Sequence, residues 1–291
     1  MKLFLVGSLG QIGTEILHQA KALGYAVDAF TKNELDITDF ESVAAAIQKS
    51  KPDTVINASG YHVIPDCEKY PDKAFDLNVY AVKNLAEQSE AVGAGFVNYS
   101  TDKVFDGTKN APYEEDDPTN PLQMYGISKL AGEIVTYDNA SRAYTIRTCG
   151  VFGGKTGSRI KKGNFVLYIL NEAKKHTSLE VSSDQIASFV NASDLARVTI
   201  SLLQKKPLPG IYHVVNDGYD SWVNFAREII RLSRATLKII PVDRSHAESE
   251  FRIPSFQALS NTKVKRLGID LAPWQDGLAR YIEYLKETHS I

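Results

Sequence analysis

Cysteine is nearly absent from this chain: two residues, Cys67 and Cys149, in 291. They lie far apart, with neither CxxC nor Cys/His ligand spacing, so no disulfide framework and no metal site is expected. Both read as reduced core thiols. Long apolar runs are missing too, and none approaches the roughly 20 residues a membrane span needs. The opening "MKLFLVGSLG" has one lysine, a short apolar run and then glycines, which reads as a first strand rather than a signal peptide. A cytoplasmic protein without a membrane partner is the expectation. Charge of one sign is also lacking: 33 Lys and Arg against 35 Asp and Glu give a net charge of −2, with the basic residues spread throughout. No nucleic acid is therefore expected as a partner. What the chain does have is 43% hydrophobic content, enough at this length for one large domain or two moderate ones and enough to exclude a disordered or fibrous chain. Small molecules remain as partners, and a homodimer stays open.

Short apolar runs alternate with helical periodicity. Residues 3–7 read as a strand and 14–24 as a helix stopped by Gly24; 25–30 is a second strand and 36–50 a second helix with Asp39 as candidate N-cap. A third strand (53–59), a long helix (72–93) and a fourth strand (94–100) follow. This repetition predicts an α/β fold, a doubly wound parallel sheet of Rossmann type with helices on both faces.

The first turn, "GSLGQIG", places Gly7, Gly10 and Gly13 between strand and helix. Such a turn lets backbone amides approach a pyrophosphate at the helix N-terminus, and its last glycine permits close helix–strand packing. A dinucleotide cofactor is the expectation. The second strand ends in "AFTKNELDI", without the acidic residue that would bond an adenosine 2′-hydroxyl, and offers Thr31 and Lys32 instead. Lys32 could meet a 2′-phosphate with no carboxylate to repel it, which favours NADPH and leaves NADH open. Its reading as a solvated loop charge stays open as well.

"YGISK" sets Tyr125 and Lys129 four residues apart, on one face of a helix. An ammonium beside a phenol favours its ionised form and lowers its pKa, so the pair can exchange a proton with a carbonyl or alcohol oxygen.

These glycines, "NAS" (57–59), Asn78, Ser100 and Thr101, and Tyr125 with Lys129 resemble the extended short-chain dehydrogenase/reductases. Nearly end to end, "LDITD" (35–39), "YSTDKVFDGT" (99–108), "PLQMYGISKLAGE" (121–133), "RTCGVFG" (147–153), "SDQIAS" (183–188) and "FRIPSFQAL" (251–259) are similar to the dTDP-4-dehydrorhamnose reductase group. The resemblance implies reduction of the 4-keto group of a nucleotide-linked 4-keto-6-deoxyhexose in deoxysugar and polysaccharide biosynthesis. Thr101 would hydrogen-bond the substrate oxygen, Tyr125 would be the acid, and Lys129 would hold the nicotinamide ribose while lowering the phenol's pKa. Gln11, Ile12, Asp36, Ile37, Asn57, Ala58 and Ser59 would lie along the cofactor. Asn164, Phe165, Gln185 and Arg252 would meet the substrate, Arg252 at its diphosphate. For Asn78, a capping or sheet-bridging amide and a place in the proton path are both open. Residues 1–153 would form the cofactor domain and 154–291 mainly the substrate domain, with about 184–215 returning to the Rossmann layer. Three sugar-pocket positions depart from the group: Gly150 stands where a tryptophan is common, Phe189 and Val190 where Pro-Thr is frequent, and Lys103 where "STDYVF" has tyrosine. That pattern implies an altered hexose or nucleotide. An NAD-dependent nucleotide-sugar 4-epimerase is one alternative, and a non-catalytic subunit resembling the methionine adenosyltransferase partner is another.

Overall fold

The computed structural model describes residues 1–154, 163–243, 252–288 and 290. The first half alternates as the sequence suggests: β1 (Lys2–Val6), α1 (Gln11–Ala22), β2 (Ala26–Phe30), α2 (Phe40–Ser50) and β3 (Thr54–Asn57). Next come α3 (Ile64–Lys69), α4 (Pro71–Phe75), a π turn (Asp76–Tyr80), α5 (Ala81–Ala91), β4 (Gly95–Thr101), α6 (Met124–Asn139) and β5 (Ala143–Thr148). Asp39 caps α2 by accepting from the Ser42 amide, as expected. The glycine turn is shorter than expected, because α1 begins at Gln11 rather than residue 14. The single long helix expected over 72–93 is instead interrupted by the π turn, which carries Asn78 inward to 1% exposure. Such bulges recur at functional sites.

The remaining described elements are β6 (Val151–Phe152), α7 (Phe165–Ala173), β7 (Ser178–Ser182), β8 (Ile186–Ser188), β9 (Val190–Asn191) and α8 (Ala192–Lys205). They continue with β10 (Gly210–His213), β11 (Tyr219–Ser221), α9 (Trp222–Ser233), β12 (Lys238–Val242), β13 (Phe256–Gln257), α10 (Thr262–Arg266) and α11 (Trp274–Glu287).

Six strands form one parallel sheet in the order β10-β5-β4-β3-β1-β2. In β1 the period of two is visible: Leu3 and Leu5 face a core shared with Ile16 of α1 and Leu195 and Val198 of α8. Phe4 and Val6 face the opposite core, with Val43 and Ile47 of α2 and Val82 and Leu85 of α5. Burial on both faces is why this strand is an uninterrupted apolar run. The strand order reverses at β1, with β2 added on one side and β3 on the other, and open α/β sheets bind ligands beyond the strand ends at such a switch point. A third core holds the later half: Phe189 stacks on Phe225 with ring centroids 4.0 Å apart, and Trp274 meets both edge-on. Over it lie the small sheets β11-β8-β13 and β12-β7.

Candidate active site

The glycine turn is a cradle that side chains would fill. At Gly7 (φ +76°) a Cβ would come within 2.7 Å of the Ala58 carbonyl, and one on Gly13 would overlap the Gly7 carbonyl oxygen. The loops after β1 and β3 are therefore in backbone contact. The first bond of α1 runs from the Thr14 amide to the Gly10 carbonyl at 2.9 Å, so the amides of Gln11, Ile12 and Gly13 point out of the helix end. No acidic residue lies in that first turn. Amide donors, partial positive charge and a turn without side chains together fit a pyrophosphate. Gln11 Nε2 donates to the Gly153 carbonyl at 2.9 Å, joining this loop to the segment after β6. Asn57 Oδ1 accepts the Ser59 hydroxyl at 2.6 Å, while Asn57 Nδ2 donates to Asn98 Oδ1 at 3.1 Å, so side chains lock the end of β3 to β4.

The end of β2 corrects one expectation. A carboxylate is present there: Glu34 Oε2 accepts the Thr31 amide at 2.8 Å, and that bond holds the Glu34 carboxyl below its usual range. Lys32 points to solvent, 81% exposed, with Asp36 at 3.7 Å. Asp36 in turn accepts the amide and hydroxyl of Thr38, and the backbone bond is the main reason its carboxyl is lowered. Ile37 is buried in the adjacent core.

Helix α6 carries Tyr125 and Lys129, the pair expected to transfer the proton. A Cβ on Gly126 would overlap the Lys103 carbonyl, and one on Gly132 the Asn78 carbonyl, so two glycines let the helix press against both the turn after β4 and the π turn. Glu133 anchors it from within: Arg147 of β5 donates to both its oxygens at 2.9 and 2.7 Å, and Ser100 adds a bond at 2.5 Å. Asn78 Oδ1 accepts the Tyr61 amide at 2.9 Å and Nδ2 donates to the Tyr61 carbonyl and the Ser128 hydroxyl at 2.8 and 3.0 Å. Asn78 is thus a bridging amide between the loop after β3 and α6.

Lys129 is 5% exposed, and burial lowers its ammonium to about 8 against the opposing pull of Glu133. Its Nζ lies close to Gly60, where a Cβ would stand 4.0 Å away. At Tyr125, burial holds the phenol above its usual range, the Thr101 hydroxyl opposes the rise and Asp102 adds to it. The phenol is kept neutral, the form an acid requires.

On the opposite wall the expected substrate residues scatter. Asn164 caps α7 by accepting the Leu167 amide at 3.1 Å and donates to Tyr281 Oη at 3.1 Å. Phe165 packs edge-on against Trp222, centroids 4.7 Å apart. The Gln185 carbonyl accepts the Trp222 amide at 3.2 Å. Arg252 is exposed, and its carbonyl accepts Gln123 Nε2 at 2.6 Å. Gly150 is closed off: at φ +53° a Cβ would stand 2.5 Å from the Ser188 carbonyl oxygen and 2.8 Å from Phe189 Cδ1. Phe189 occupies the space beside Gly150. Lys103 does not stand free in a sugar pocket either, because its ammonium is bonded to Asp102 and Gln257. Sequence reasoning missed Glu34, Gln123 and Gln257. Glu34 lay inside the quoted strand end and was readable; Gln257 carried no local signal.

With this geometry in place, comparison with known proteins is informative. The family model described as RmlD substrate binding domain matches residues 1–287. The spore coat polysaccharide biosynthesis protein SpsK of Bacillus subtilis is 36% identical, over 97% of each chain. A dTDP-4-dehydrorhamnose reductase crystal structure from Clostridium acetobutylicum superposes with a TM-score of 0.93 at 33% identity, covering 98% of this chain and all of that one. The dTDP-4-dehydrorhamnose reductase of Bacillus anthracis, solved in complex with NADP, gives 0.91 at 28% identity over 97% and 99%.

Proposed function

The chain belongs to the RmlD substrate-binding-domain family, and on that premise we propose that it is an NADPH-dependent reductase of the 4-keto group of dTDP-4-dehydrorhamnose or a close nucleotide-linked 4-keto-6-deoxyhexose. The observation that carries this reading is the Thr101 hydroxyl at the end of β4 beside the Tyr125 phenol, with Lys129 one turn along α6 and its ammonium close to Gly60 in the loop after β3. The reductase names of its structural relatives, one of them holding NADP, support the substrate and the cofactor. The name of the Bacillus subtilis relative supports a place in polysaccharide biosynthesis. Neither an epimerase nor a non-catalytic subunit is favoured by these relatives.

Gly7, Gly10, Gly13 and the first amides of α1 would hold the pyrophosphate, Asn57, Ala58 and Ser59 would flank the chain of the cofactor, and Lys129 would bond its ribose. When bound, the reduced nicotinamide supplies a hydride. Tyr125 gives its proton to the substrate oxygen as charge develops there, and the Thr101 hydroxyl, which donates to Asp102 in this structure, would turn its proton to that oxygen to orient it. The ammonium of Lys129, once held near the phenol by the ribose, stabilises the tyrosinate left behind. This division of labour places the cofactor on residues 1–153, with about 184–215 in the same layer, and the sugar nucleotide mainly on 154–291.

The test is NADPH oxidation with dTDP-4-dehydrorhamnose and a panel of related nucleotide-linked 4-keto-6-deoxyhexoses. Tyr125→Phe is expected to lower kcat about 1,000-fold, the scale of a lost general acid, with NADPH binding retained. Absence of oxidation across the panel, or an equal rate in the variant, overturns the reading.

A further inference from the structure

Lys103 Nζ donates to Asp102 Oδ2 at 2.9 Å and to Gln257 Oε1 at 2.5 Å. The Lys103 and Asp102 side chains are only 17% and 5% exposed. The other Asp102 oxygen accepts the Thr101 hydroxyl at 2.9 Å, and Thr101 Oγ1 accepts the Lys103 amide at 3.2 Å. A buried chain of bonds therefore runs from Gln257 through Lys103 and Asp102 to Thr101, and it ends beside the Tyr125 phenol. Gln257 comes from β13, 154 residues from Lys103. The segment leading into β13 is pinned twice more: Gln123 Nε2 bonds the Arg252 carbonyl, and a Cβ on Gly107 would lie 2.7 Å from Pro254 Cβ.

We propose that Lys103 is a positioning residue that holds Asp102 between its ammonium and the Thr101 hydroxyl, so fixing the charge beside Tyr125, and that Gln257 ties this setting to the seating of the segment bearing Arg252. The inference rests on Tyr125 being the acid. Its physical basis is the charge inventory of the site. Asp102 acts on the phenol from the turn after β4 with the Lys103 ammonium bonded to it, Lys129 and Glu133 lie further along α6, Cys67 and Glu68, the latter accepting the Met124 amide, lie on α3, and Cys149 follows β5. Burial pushes the Cys149 thiol well above its usual range, which keeps it neutral. From β13 comes only a neutral amide. Asp102 is thus the carboxylate that raises the phenol, and the Lys103 ammonium bonded to it offsets that charge, so removing either acts in a known direction.

The experiment is the pH dependence of kcat for NADPH oxidation. Lys103→Met leaves Asp102 unopposed and moves the basic limb upward by about one pH unit, whereas Asp102→Asn leaves the ammonium unopposed and moves it downward by about the same. Lys103→Arg restores most of the native position. Gln257→Leu spares the Lys103–Asp102 pair, so the limb stays in place while KM for the nucleotide sugar rises about threefold, a change of well under 1 kcal/mol. NADPH fluorescence titration verifies that each variant is folded; should Lys103→Met fail it, Lys103→Gln carries the same prediction. Limbs that stay still, or shift alike in the Asp102 and Lys103 variants, overturn the proposal. An effect of Lys103→Met confined to KM makes Lys103 a substrate ligand and overturns it too. An unchanged KM in Gln257→Leu removes the link to the Arg252 segment. Tyr125→Phe separates the two claims, since native activity in that variant defeats the reductase reading itself, whatever the limbs do.

Discussion

The region expected to hold the cofactor and the region expected to meet the sugar nucleotide are made of different material, and form the two proposed walls of the site. The wall expected to hold the cofactor is backbone against backbone: Gly7 lies on the Ala58 carbonyl, Gly13 lies on Gly7, and the helix end offers bare amides. The sugar wall is side chain against side chain, with contacts such as Lys103 to Gln257 and Phe189 to Phe225 joining distant stretches. A backbone wall admits few sequences and writes its requirement as local glycine spacing. A side-chain wall can be rebuilt by paired changes and leaves no spacing to read.

The comparison breaks most visibly at a glycine. Gly13→Ala puts a Cβ onto the Gly7 carbonyl oxygen, and because the obstacle is backbone the loop itself must shift. A stability loss of about 3 kcal/mol, the upper range for overpacking, is expected in urea unfolding, with at least about a tenfold loss of NADPH affinity, equal to about 1.4 kcal/mol. Gly24→Ala is the control: its φ is +73° but nothing lies within 4 Å of the new Cβ. It is expected to cost about 1 kcal/mol and leave affinity unchanged. Equal effects on affinity would show that the cradle is not what binds the cofactor.

The sugar wall gives a smaller effect. Gly150→Trp installs the residue common in the related reductases, yet φ is +53° and the Ser188 carbonyl oxygen stands 2.5 Å from the new Cβ. About 2 kcal/mol of destabilisation is expected, read as a lower Tm, with no gain in kcat/KM. A stable variant with improved turnover would mean that the sugar wall tolerates a single change and that Gly150 and Phe189 are not coupled.

How much was legible follows the same divide. The alternation of β1 to β5 with helices, the Asp39 cap and the glycine cradle were readable because each depends on neighbours within a few residues. The π turn was not, because "DKAFDLNVYAVKNLAEQ" has unbroken helical composition and the interruption is held by Asn78 bonding Tyr61 and Ser128, which are distant in sequence. Tyr125 and Lys129 were recognisable as a pair, but the state of the phenol was not, since Asp102, Cys67 and Cys149 converge on it from three other segments. Lys103 looked like a sugar-pocket substitution for want of any view of Gln257.

Glu34 offers the finest test, because it lies on the backbone wall yet acts through its side chain. Its carboxylate covers the Thr31 amide at the end of β2, where a cofactor's 2′ substituent would be received under the proposed function, while Lys32 is turned to solvent. A 2′-phosphate approaching that point meets a negative charge first, and a 2′-hydroxyl meets an acceptor. Glu34→Ala is therefore expected to raise the affinity for NADPH relative to NADH about fivefold, a surface-charge effect that fades as salt is added. Lys32→Ala, removing a solvated ammonium, is expected to change the ratio by less than about twofold, within the range of exposed charge pairs. Fluorescence titration of both proteins with both cofactors measures this directly. A ratio indifferent to Glu34 but collapsing in Lys32→Ala would mean that the lysine swings onto the phosphate and displaces the carboxylate. In that case the end of β2 is set by the ligand rather than by the fold, and the backbone wall stops at the glycine cradle.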